Sequence, residues 1–387
     1  MPPPPLTGRP NWVEIDLTAL RHNFSTIREY VAPATVCAVV KADAYGHGAV
    51  ECARALKNDG CKWYAVASAE EGEELRHAGI TGHLLLLSGF WRGEEEMVIA
   101  ESLTPSIWDP RQVELLEVAA KKLDKAPESV AVHLEIDTGM SRTGISLDQL
   151  DDMIDVLKAS HHLSLEGVFT HFLSAEVVDS PDAEKQLAKF DEAVDKIQAA
   201  GLEPAWRHVA NSAAIACRER SWKDMVRPGI SLYGYYLPFL SVISGHSEVT
   251  PDLPVVPVLR WKTRIIALRR VPERTPIGYN SSYITQRASL IATVPCGYAD
   301  GLNRHLSNRG QMIVKEHRVP IVGTISMDLC MLDVTDIPSV DIGDEVIIIG
   351  DSGEVRLTAW DHAMHSQTIP YEVLSAISPR VKRVFVE

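Results

Sequence analysis

The stretch VCAVVKADAYGHGAVECARALKNDG, residues 36–60, contains one complete unit of the predicted fold. Residues 36–40 form a short apolar run typical of a buried strand, and residues 49–60 have the apolar spacing of an amphipathic helix. The helical segment ends at Gly60, a residue type that is common just after a helix. A buried strand followed by a turn and a helix predicts a parallel β/α unit.

The same unit recurs along the chain as far as residue 235. Eight apolar runs follow one another: VCAVVK (36–41), YAVAS (64–68), HLLLLSG (83–89), LTPSIWD (103–109), VAVHLEID (130–137), LSLEGVFTH (163–171), WRHVAN (206–211) and MVRPGISLYG (225–234). Helix-patterned segments such as AEEGEELRHAG (69–79) lie between them. Eight consecutive units predict a (β/α)8 TIM-type barrel, and a doubly wound open sheet is the alternative that would give a similar sequence.

The character of the sequence changes after residue 240. The turn-rich stretch 241–257 predicts a linker, and β-prone segments without a long helical period follow it: RWKTRIIALRRV (260–271), ASLIATV (288–294), QMIVKEHRVPIVG (311–323), CMLDV (330–334) and DEVIIIG (344–350). These segments predict an all-β C-terminal domain. We therefore divide the chain into residues 1–17 (a leader, then a strand, NWVEIDL, that joins the β-domain), 18–240 (the barrel) and 241–387 (the β-domain).

Composition and charge narrow the functional classes. Of the 387 residues 45% are hydrophobic, enough for a sizeable core, and the formal net charge of −14 argues against a nucleic-acid binder or an anionic-membrane binder. No apolar run approaches the ~18 residues of a membrane span. The start, MPPPPLTGRP, lacks the apolar core of a signal peptide and predicts a mobile leader, so we expect a cytoplasmic protein.

Metal and nucleotide motifs are missing from the sequence. The six cysteines form no C-x-x-C pair and mostly lie in apolar runs, which predicts buried reduced thiols: Cys37, Cys52, Cys61, Cys217, Cys296 and Cys330. Neither H-E-x-x-H, G-x-G-x-x-G nor a P-loop occurs, so we expect no metal site and no nucleotide cofactor.

Polar residues follow several of the apolar runs, where the catalytic groups of TIM barrels lie. They are Lys41, Glu135, Asp137, Thr170, His171, Asn211, Ser212 and Arg227. Polar loops explain each residue singly, but the cluster favours an active site. Along the fifth run His133, Glu135 and Asp137 alternate with apolar residues, which predicts that this polar set lies inside the barrel mouth.

Lys41 and the segment after Arg227 suggest particular chemistry. An amine that ends an apolar strand is partly desolvated, which lowers its pKa and favours Schiff-base formation. A surface lysine just past a strand end remains the commoner alternative for position alone. The backbone N–H groups of Gly229 and Ile230, after the last run, are placed where TIM barrels often bind phosphate.

Eight motifs resemble those of the alanine racemase family, in the family's order from Trp12 to about Arg380. They are AVVKADAYGHG (38–48), DTGMSRTG (137–144), FTHF (169–172), ANSAA (210–214), RPGISLYG (227–234), GYADG (297–301), GTISMDLCM (323–331) and PYE (370–372). The resemblance implies a barrel with a β-domain, pyridoxal phosphate as cofactor, and a head-to-tail homodimer with shared sites. It also implies interconversion of L- and D-alanine, with D-alanine supplied for peptidoglycan.

The resemblance assigns roles to residues by their place in these motifs. Lys41 would bind the cofactor and act as one base, and Tyr298 would be the opposite base, supplied by the partner subunit. His171 and Arg227 would favour the ionised phenol of Tyr298, and Arg227 would also face the pyridine nitrogen. The remaining roles concern the phosphate (Tyr45, Ser212, Tyr371, Gly229 and Ile230), the substrate carboxylate (Arg142, Met327 and Asp328) and the surroundings of the site (His208 and Asn211).

Two positions depart from the family pattern. Glu135 stands where many members carry a carbamylated lysine, and our hypothesis is that its carboxylate pairs with Arg142; the alternative is that it only offsets local positive charge. Ser141 stands where glycine is usual.

Three other functions are alternatives to an alanine racemase. They are a racemase for serine or several amino acids, a decarboxylase on the same scaffold, and a carrier that binds pyridoxal phosphate without turnover. The complete set of motifs, with Tyr298 and Met327, argues against the decarboxylase and the carrier.

Overall fold

The computed structural model describes residues 8–241, 248–249 and 253–387. Most of the predicted leader and much of the predicted linker (residues 1–7, 242–247 and 250–252) lie outside the described residues. The chain forms two compact units. One, which we call the barrel unit, comprises Ala19–Ala44 and Ala49–Val256; the other, the β-unit, comprises Met1–Thr18, Tyr45–Gly48 and Pro257–Glu387.

The barrel unit contains a closed eight-stranded parallel barrel. The first strand of the chain, β1 (Asn11–Asp16), belongs to the β-unit. The barrel strands follow in chain order: β2 (Thr35–Val39), β3 (Trp63–Val66), β4 (His83–Leu86), β5 (Thr104–Ile107), β6 (Val130–Glu135), β7 (Leu163–Phe169), β8 (Trp206–Asn211) and β9 (Met225–Arg227). Strand β9 pairs with β2 and closes the barrel. Each strand coincides with a predicted apolar run, so the (β/α)8 barrel is confirmed and the open-sheet alternative is wrong.

One helix precedes the first barrel strand, and the others lie between successive barrel strands. They are α1 (Leu17–Tyr30), α2 (Lys41–Gly46), α3 (Ala49–Asn58), α4 (Ala69–His77), α5 (Glu95–Ala100), α6 (Pro110–Lys122), α7 (Leu150–Ala159), α8 (Pro181–Ala199) and α9 (Ser212–Cys217). Local sequence explains several of their ends. Helix α6 begins with a capping box between Asp109 and Gln112, and Gly60 and Gly79 lie just beyond α3 and α4 with φ values of +88° and +85°.

The later strands form smaller sheets. They are β10 (Phe239–Leu240), β11 (Glu248–Val249), β12 (Leu259–Arg264), β13 (Ala267–Val271), β14 (Pro276–Ile277), β15 (Tyr283–Ile284), β16 (Ser289–Val294), β17 (Gln311–Val314), β18 (His317–Pro320), β19 (Cys330–Asp333), β20 (Glu345–Ser352), β21 (Val355–Leu357) and β22 (Lys382–Val386). In the β-unit the largest sheet has the order β18-β17-β20-β12-β1-β22, with β21 paired to β20. Strands β13, β16 and β19 form a three-stranded sheet. Strands β14 and β15, which lie between β13 and β16 in the sequence, pair with each other.

The β-domain that the sequence predicts is confirmed, and it also contains two short helices near its C-terminal end. They are α10 (Ala359–Ser366) and α11 (Pro370–Ser375). Helix α10 begins with a capping box between Thr358 and Asp361, and α11 has Pro370 in its first turn. Both helices are too short to show a helical period in the sequence.

The interior of the barrel combines apolar and polar residues. On β6, Val132 and Leu134 are fully buried, and so is His133, whose Nδ1 lies 2.8 Å from His208 Nε2 on β8. The ring of His133 also lies 5.5 Å from that of Trp63 on β3. The alternation read along this run therefore does place His133 inside the barrel, as predicted.

Two glycines with the same backbone conformation provide a test of packing in the fold. Gly46 and Gly79 have φ values of +82° and +85°, but a Cβ on Gly46 would lie 2.3 Å from Leu374 O, whereas none of the described atoms lies within 4 Å of a Cβ on Gly79. We expect Gly79→Ala to cost about 1 kcal/mol of unfolding free energy, from backbone conformation alone. Gly46→Ala should cost about 3 kcal/mol or more, because the clash adds to that strain. Urea unfolding followed by circular dichroism measures both, and equal losses would contradict the packing around Gly46.

Candidate active site

The predicted barrel residues lie at the carboxyl ends of their strands. Lys41 follows β2, Glu135 ends β6, His171 follows β7, Ser212 follows β8, and Arg227 ends β9. Parallel strands of a barrel end at the same face, so these side chains share one mouth. The structure therefore brings together the polar strand ends that the sequence singles out.

Arg227 is a buried cation held by neutral acceptors. Its Nη1 donates to His208 O at 2.8 Å and to His208 Nδ1 at 2.6 Å, and its Nη2 donates to Thr170 O at 2.7 Å and Val209 O at 3.2 Å. The guanidinium also lies 5.2 Å from the centre of the Phe169 ring. Among the described residues, no acceptor forms a hydrogen bond with Arg227 Nε. Burial lowers the pKa of Arg227 to about 10, so it stays protonated at neutral pH.

Positive charge surrounds Lys41 and His171. The pKa of Lys41 is lowered by burial first and then by the nearby charge of Arg142, with Arg227 adding to it and Glu71 opposing it. The pKa of His171 is lowered to about 3, by burial and then by Arg227, Arg142 and Lys41. His171 is therefore neutral at neutral pH, and the Lys41 amine loses its proton more readily than an ordinary lysine.

The turn that begins at Lys41 is left-handed. Ala42, Asp43, Ala44 and Tyr45 in α2 have φ values of +52° to +55°. Each such residue without glycine's freedom costs about 1–2 kcal/mol, so neighbours must hold the turn. Asp43 Oδ1 accepts from Ala49 N at 2.8 Å, and Glu71 Oε1 accepts from Ala42 N at 2.7 Å.

Glu71 is a site residue that our sequence analysis missed. Its second oxygen accepts from Ala67 N at 2.7 Å, so the carboxylate ties the loop after β3 to the turn that carries Lys41. A signal for it exists in the sequence. Ser68 and Glu71 have the spacing of a capping box, and Ser68 is the N-cap of α4.

Backbone N–H groups converge on the Ser212 hydroxyl. Its Oγ accepts from Gly229 N at 2.8 Å and Ser231 N at 3.3 Å, and Ile230 begins a short 3₁₀ helix, Ile230–Tyr233. The first N–H groups of a helix have no partner within it and favour anions. Asn211 caps α9, because its side chain accepts a hydrogen bond from Ala214 N at 3.1 Å. It therefore has a structural function next to Ser212.

The predicted ion pair between Glu135 and Arg142 is not formed. Among the described residues no carboxylate oxygen lies within 4.0 Å of the Arg142 guanidinium, and Arg142 is exposed in the loop after β6. Glu135 is buried at the end of β6, and its Oε2 has no hydrogen-bond partner in the same described ranges. Burial raises the pKa of Glu135, while a hydrogen bond with Thr143 and the charges of Arg227 and Arg142 oppose the rise. Glu135 and Arg142 are close in the sequence, which is why a pair was predicted. In the fold the two side chains do not meet, because Glu135 is buried at the end of a strand and Arg142 is exposed in the loop that follows.

In the β-unit, Tyr298 lies on a tight turn fixed from behind. The turn is the 3₁₀ helix Tyr298–Asp300, and the Asp300 carboxylate accepts from Gly297 N at 2.8 Å. Asp300 is fully buried and pairs with Arg9 and with Arg380, whose Nε lies 2.9 Å from it. The Tyr298 side chain is 43% exposed, so the turn presents its phenol to solvent in this chain.

The Tyr298 turn is joined to the segment with Met327 and Asp328. Tyr298 N donates to Ser326 O, and Ala299 N donates to Met327 O, both at 3.0 Å. Arg380 also donates to Asp328 Oδ1 at 2.5 Å, so one arginine serves both segments. The structure thus brings the three predicted residues of the β-unit together, and it adds Asp300 and Arg380, which lie too far from each other in sequence to be predicted as a pair.

Tyr45 and Tyr371 lie beside each other in the β-unit. Their ring centres are 5.9 Å apart, and burial raises the pKa of Tyr45, with Tyr371 adding to the rise.

Across the residues that the structure covers, no cluster of three metal-ligating side chains occurs, and no helix is long and apolar enough to cross a membrane.

Comparisons with known proteins agree over the whole chain. Residues 15–237 match the family described as alanine racemase, N-terminal domain, and residues 258–385 match alanine racemase, C-terminal domain. Alanine racemase 2 of Caldanaerobacter subterraneus subsp. tengcongensis is 40% identical over 98% of this chain and 95% of its own length. Alanine racemase of Halothermothrix orenii is 38% identical over 97% of each chain.

Solved structures give the same result. The alanine racemase of Clostridium difficile 630 superimposes with a TM-score of 0.91 at 36% identity, over 99% of this chain and 97% of that one. The Bartonella henselae alanine racemase with covalently bound pyridoxal phosphate has a TM-score of 0.85 at 30% identity, over 98% of this chain and 100% of that one. The Bacillus anthracis alanine racemase with bound L-Ala-P has a TM-score of 0.89 at 31% identity, over 99% of this chain and 96% of that one.

The lowered pKa of Lys41 is directly testable. In protein prepared without pyridoxal phosphate, limiting acetic anhydride should acetylate Lys41 at a lower pH than the exposed Lys189. Arg142→Gln should move the Lys41 midpoint upward, because a positive neighbour is removed. Peptide mass spectrometry across a pH series measures both lysines. Co-titration of Lys41 with Lys189, or a downward shift in the variant, would contradict the electrostatics described for this mouth.

Proposed function

This chain belongs to the alanine racemase family and interconverts L-alanine and D-alanine with pyridoxal phosphate as its cofactor, and we propose that Lys41 and Tyr298 are its two bases. Racemisation removes a proton from one face of the α-carbon and delivers a proton to the other face. A base held on one face would return the proton to the side from which it came. The observation that carries the proposal is the environment of Lys41, which is partly buried at the barrel mouth within the influence of the charges of Arg142 and Arg227.

Groups in the barrel unit suit pyridoxal phosphate. The Arg227 Nε, which meets no acceptor among the described residues, is suited to the pyridine nitrogen, and the Ser212, Gly229 and Ile230 cradle is suited to the phosphate. When bound, the cofactor supplies the conjugated ring that withdraws electrons from the α-carbon. An arginine stays protonated and can only donate, so Arg227 keeps the ring nitrogen unprotonated. We carry Tyr45 and Tyr371 over from the family as further phosphate ligands.

Lys41 is suited to act as a base because its amine is easily deprotonated. A general base must be in its unprotonated form, and burial and the charges of Arg142 and Arg227 increase that form at neutral pH. His171 is neutral and adds no further cation beside it. The amine receives no hydrogen bond in the described part of the chain that would hold it away from a substrate.

Tyr298 is suited to act from a second copy of the chain. Within the described residues its hydroxyl has no hydrogen bond, and its side chain is largely accessible. We propose a head-to-tail homodimer in which Tyr298 and Met327 reach the partner subunit's barrel, where the partner subunit's Arg227 favours an ionised phenol. Exposed large apolar side chains in the β-unit support an interface: Tyr279, Ile284, Leu329, Met364 and Ile369.

The substrate carboxylate is proposed to bind to Arg142 and to the Met327 backbone, with Asp328 beside them. Arg142 is exposed and forms no ion pair among the described residues, so its guanidinium is free for a carboxylate. We propose that Glu135 acts on Arg142 by its charge from the strand end, in place of the direct pair that the sequence predicted.

Cellular setting and domain roles are further proposals. We propose that the enzyme works in the cytoplasm and that its D-alanine serves peptidoglycan synthesis, since the relatives are bacterial alanine racemases. We also propose that residues 18–240 bind the cofactor, while residues 241–387, joined by the strand within 1–17, complete the partner's site. Ser141 stands where glycine is usual and adds a hydroxyl next to Arg142 in the sequence, which is a reason to test serine beside alanine as a substrate.

The two-base proposal predicts different losses from two variants. Lys41→Ala should abolish racemisation, and Tyr298→Phe should lower turnover by about two orders of magnitude or more, since a general base contributes about 10²–10⁴-fold. Tyr298→Phe should also impair proton removal from one enantiomer more than from the other. Chiral chromatography and exchange of the α-proton measure these effects. Small and equal effects on both enantiomers would argue against two bases.

Mixing the same variants supplies the control for the shared site. Subunits with Lys41→Ala and subunits with Tyr298→Phe are both inactive alone, but a mixed dimer would contain one site with both native bases. We expect activity to recover as subunits exchange. Absence of recovery after exchange has been verified by mass spectrometry would mean that each subunit supplies its own tyrosine.

The role of Glu135 is tested by removing its charge. Glu135→Gln keeps the shape but not the carboxylate, and we expect the KM for alanine to rise about three- to tenfold, because the charge that acts on Arg142 is removed. Glu192→Gln on the exposed face of α8 is the matched control and should leave KM unchanged. If KM and turnover of Glu135→Gln equal those of the control, Glu135 has no influence on substrate binding.

A further inference from the structure

A chain of polar side chains continues from Arg227 into the interior of the barrel. Arg227 Nη1 lies 2.6 Å from His208 Nδ1, and His208 Nε2 lies 2.8 Å from His133 Nδ1. On its far side, His133 Nε2 faces Glu166 Oε2 at 3.5 Å. Arg227 ends β9, whereas His208, His133 and Glu166 lie before the carboxyl ends of β8, β6 and β7, so this hydrogen-bonded series leads away from the mouth.

The barrel backbone makes room for the His133 ring. The pairing of β6 with β7 shifts register between Val132 and His133, which sets His133 opposite Gly167. A Cβ on residue 167 would lie 2.5 Å from the His133 ring, so only glycine leaves the ring its position. Phe169 stacks on His208 with ring centres 4.9 Å apart and the planes within 9°. Both imidazoles are thus fixed by packing as well as by hydrogen bonds.

One proton order fits the contacts of Arg227. A guanidinium has only donors, so His208 Nδ1 can accept from Arg227 only when the His208 proton lies on Nε2. That proton points at His133 Nδ1, which must then accept, leaving the His133 proton on Nε2. Burial, first, and the charge of Arg227 lower the pKa of His208, and burial lowers that of His133 against the influence of Glu166, so both rings are neutral.

The last proton of the chain points at Glu166. Among the described residues His133 Nε2 and Glu166 Oε2 are both buried and neither has another hydrogen-bond partner, so each is the only available partner of the other. The second oxygen of Glu166 lies 3.9 Å from His83 Nδ1, and His83 stacks on Trp63 at 4.2 Å. The carboxylate therefore ends the chain as an acceptor.

We propose that Glu166 is a positioning residue that sets the proton order of His133 and His208 and thereby fixes the Arg227 guanidinium from inside the barrel. The inference rests on the proposed role of Arg227 toward the cofactor. If His208 carried its proton on Nδ1, two donors would face each other at 2.6 Å and Arg227 would lose one of its four acceptors. An acceptor at the position of Glu166 makes the other order the favourable one.

The proton order can be measured without catalysis. In cofactor-free protein with ¹⁵N-labelled histidine, long-range ¹H–¹⁵N spectra distinguish the two tautomers, and His133→Asn and His208→Asn assign the signals. We expect both rings to be neutral with the proton on Nε2 at pH 6 to 8. A proton on Nδ1 of either ring, or a charged ring, would overturn the proposal. This result does not depend on racemase activity, so it can fail or hold separately from the proposed function.

Variants connect the proton order with turnover. Glu166→Leu removes the acceptor, and we expect mixed tautomers at His133 and His208 and a kcat lower by about tenfold, the effect of one well-placed hydrogen bond. Glu166→Gln keeps an acceptor oxygen and should restore the Nε2 tautomers and most of kcat. Glu117→Leu is the control, because Glu117 Oε1 lies 2.7 Å from His162 Nδ1 in a similar carboxylate–histidine pair that is not part of the series from Arg227 to Glu166.

The variant outcomes decide the proposal in either direction. Unchanged tautomers in a folded Glu166→Leu protein would mean that Glu166 does not set the proton order. A kcat loss in Glu166→Leu that Glu166→Gln fails to restore, with native tautomers in both, would assign Glu166 a packing role only. If Glu166→Leu does not fold, the tautomers of the native protein and of Glu166→Gln still test the predicted order.

Discussion

A cation inside a protein has to be surrounded by acceptors, and the site at this barrel mouth depends on how Arg227 meets that requirement. Its guanidinium donates to three backbone carbonyls and one imidazole nitrogen, and among the described residues no carboxylate pairs with it directly. Its charge therefore acts on its surroundings. Burial lowers the pKa values of Lys41, His171 and His208, and the charge of Arg227 adds to the lowering at each of them.

Both proposed bases lie on turns that are held by carboxylates. The left-handed turn of Lys41 is fixed by Asp43 and Glu71, and the turn of Tyr298 is fixed by Asp300. Strained or tight backbone of this kind persists only where neighbouring groups determine it fully. Lys41 belongs to the barrel unit and Tyr298 to the β-unit.

Local patterns in the sequence carry most of the fold. The eight barrel strands, the ends of α3 and α4 at glycine, and the inward position of His133 follow from apolar spacing and from residue types that favour one conformation. Helices α10 and α11 did not follow, because each is too short to show a period.

The candidate site is less accessible to sequence analysis, because its contacts join distant residues. Lys41, Arg227 and the other strand ends could be predicted because a barrel places all of them at one face. The Glu135 and Arg142 pair was wrong because proximity in sequence does not fix whether a side chain is buried or exposed. Asp300 with Arg380, and His133 with Gly167 and Glu166, depend on strand register and on turns that only the folded chain defines.

The central claim is that protons leave one face of the α-carbon and arrive at the other from a different base. Racemisation of L-alanine in D₂O, stopped after a small fraction has reacted, tests this claim most directly. With two bases, the proton removed by one base is not the one delivered by the other, so the first D-alanine formed should carry deuterium at its α-carbon. First-formed D-alanine that retains the original α-proton would mean that one base serves both faces, and it would contradict the account.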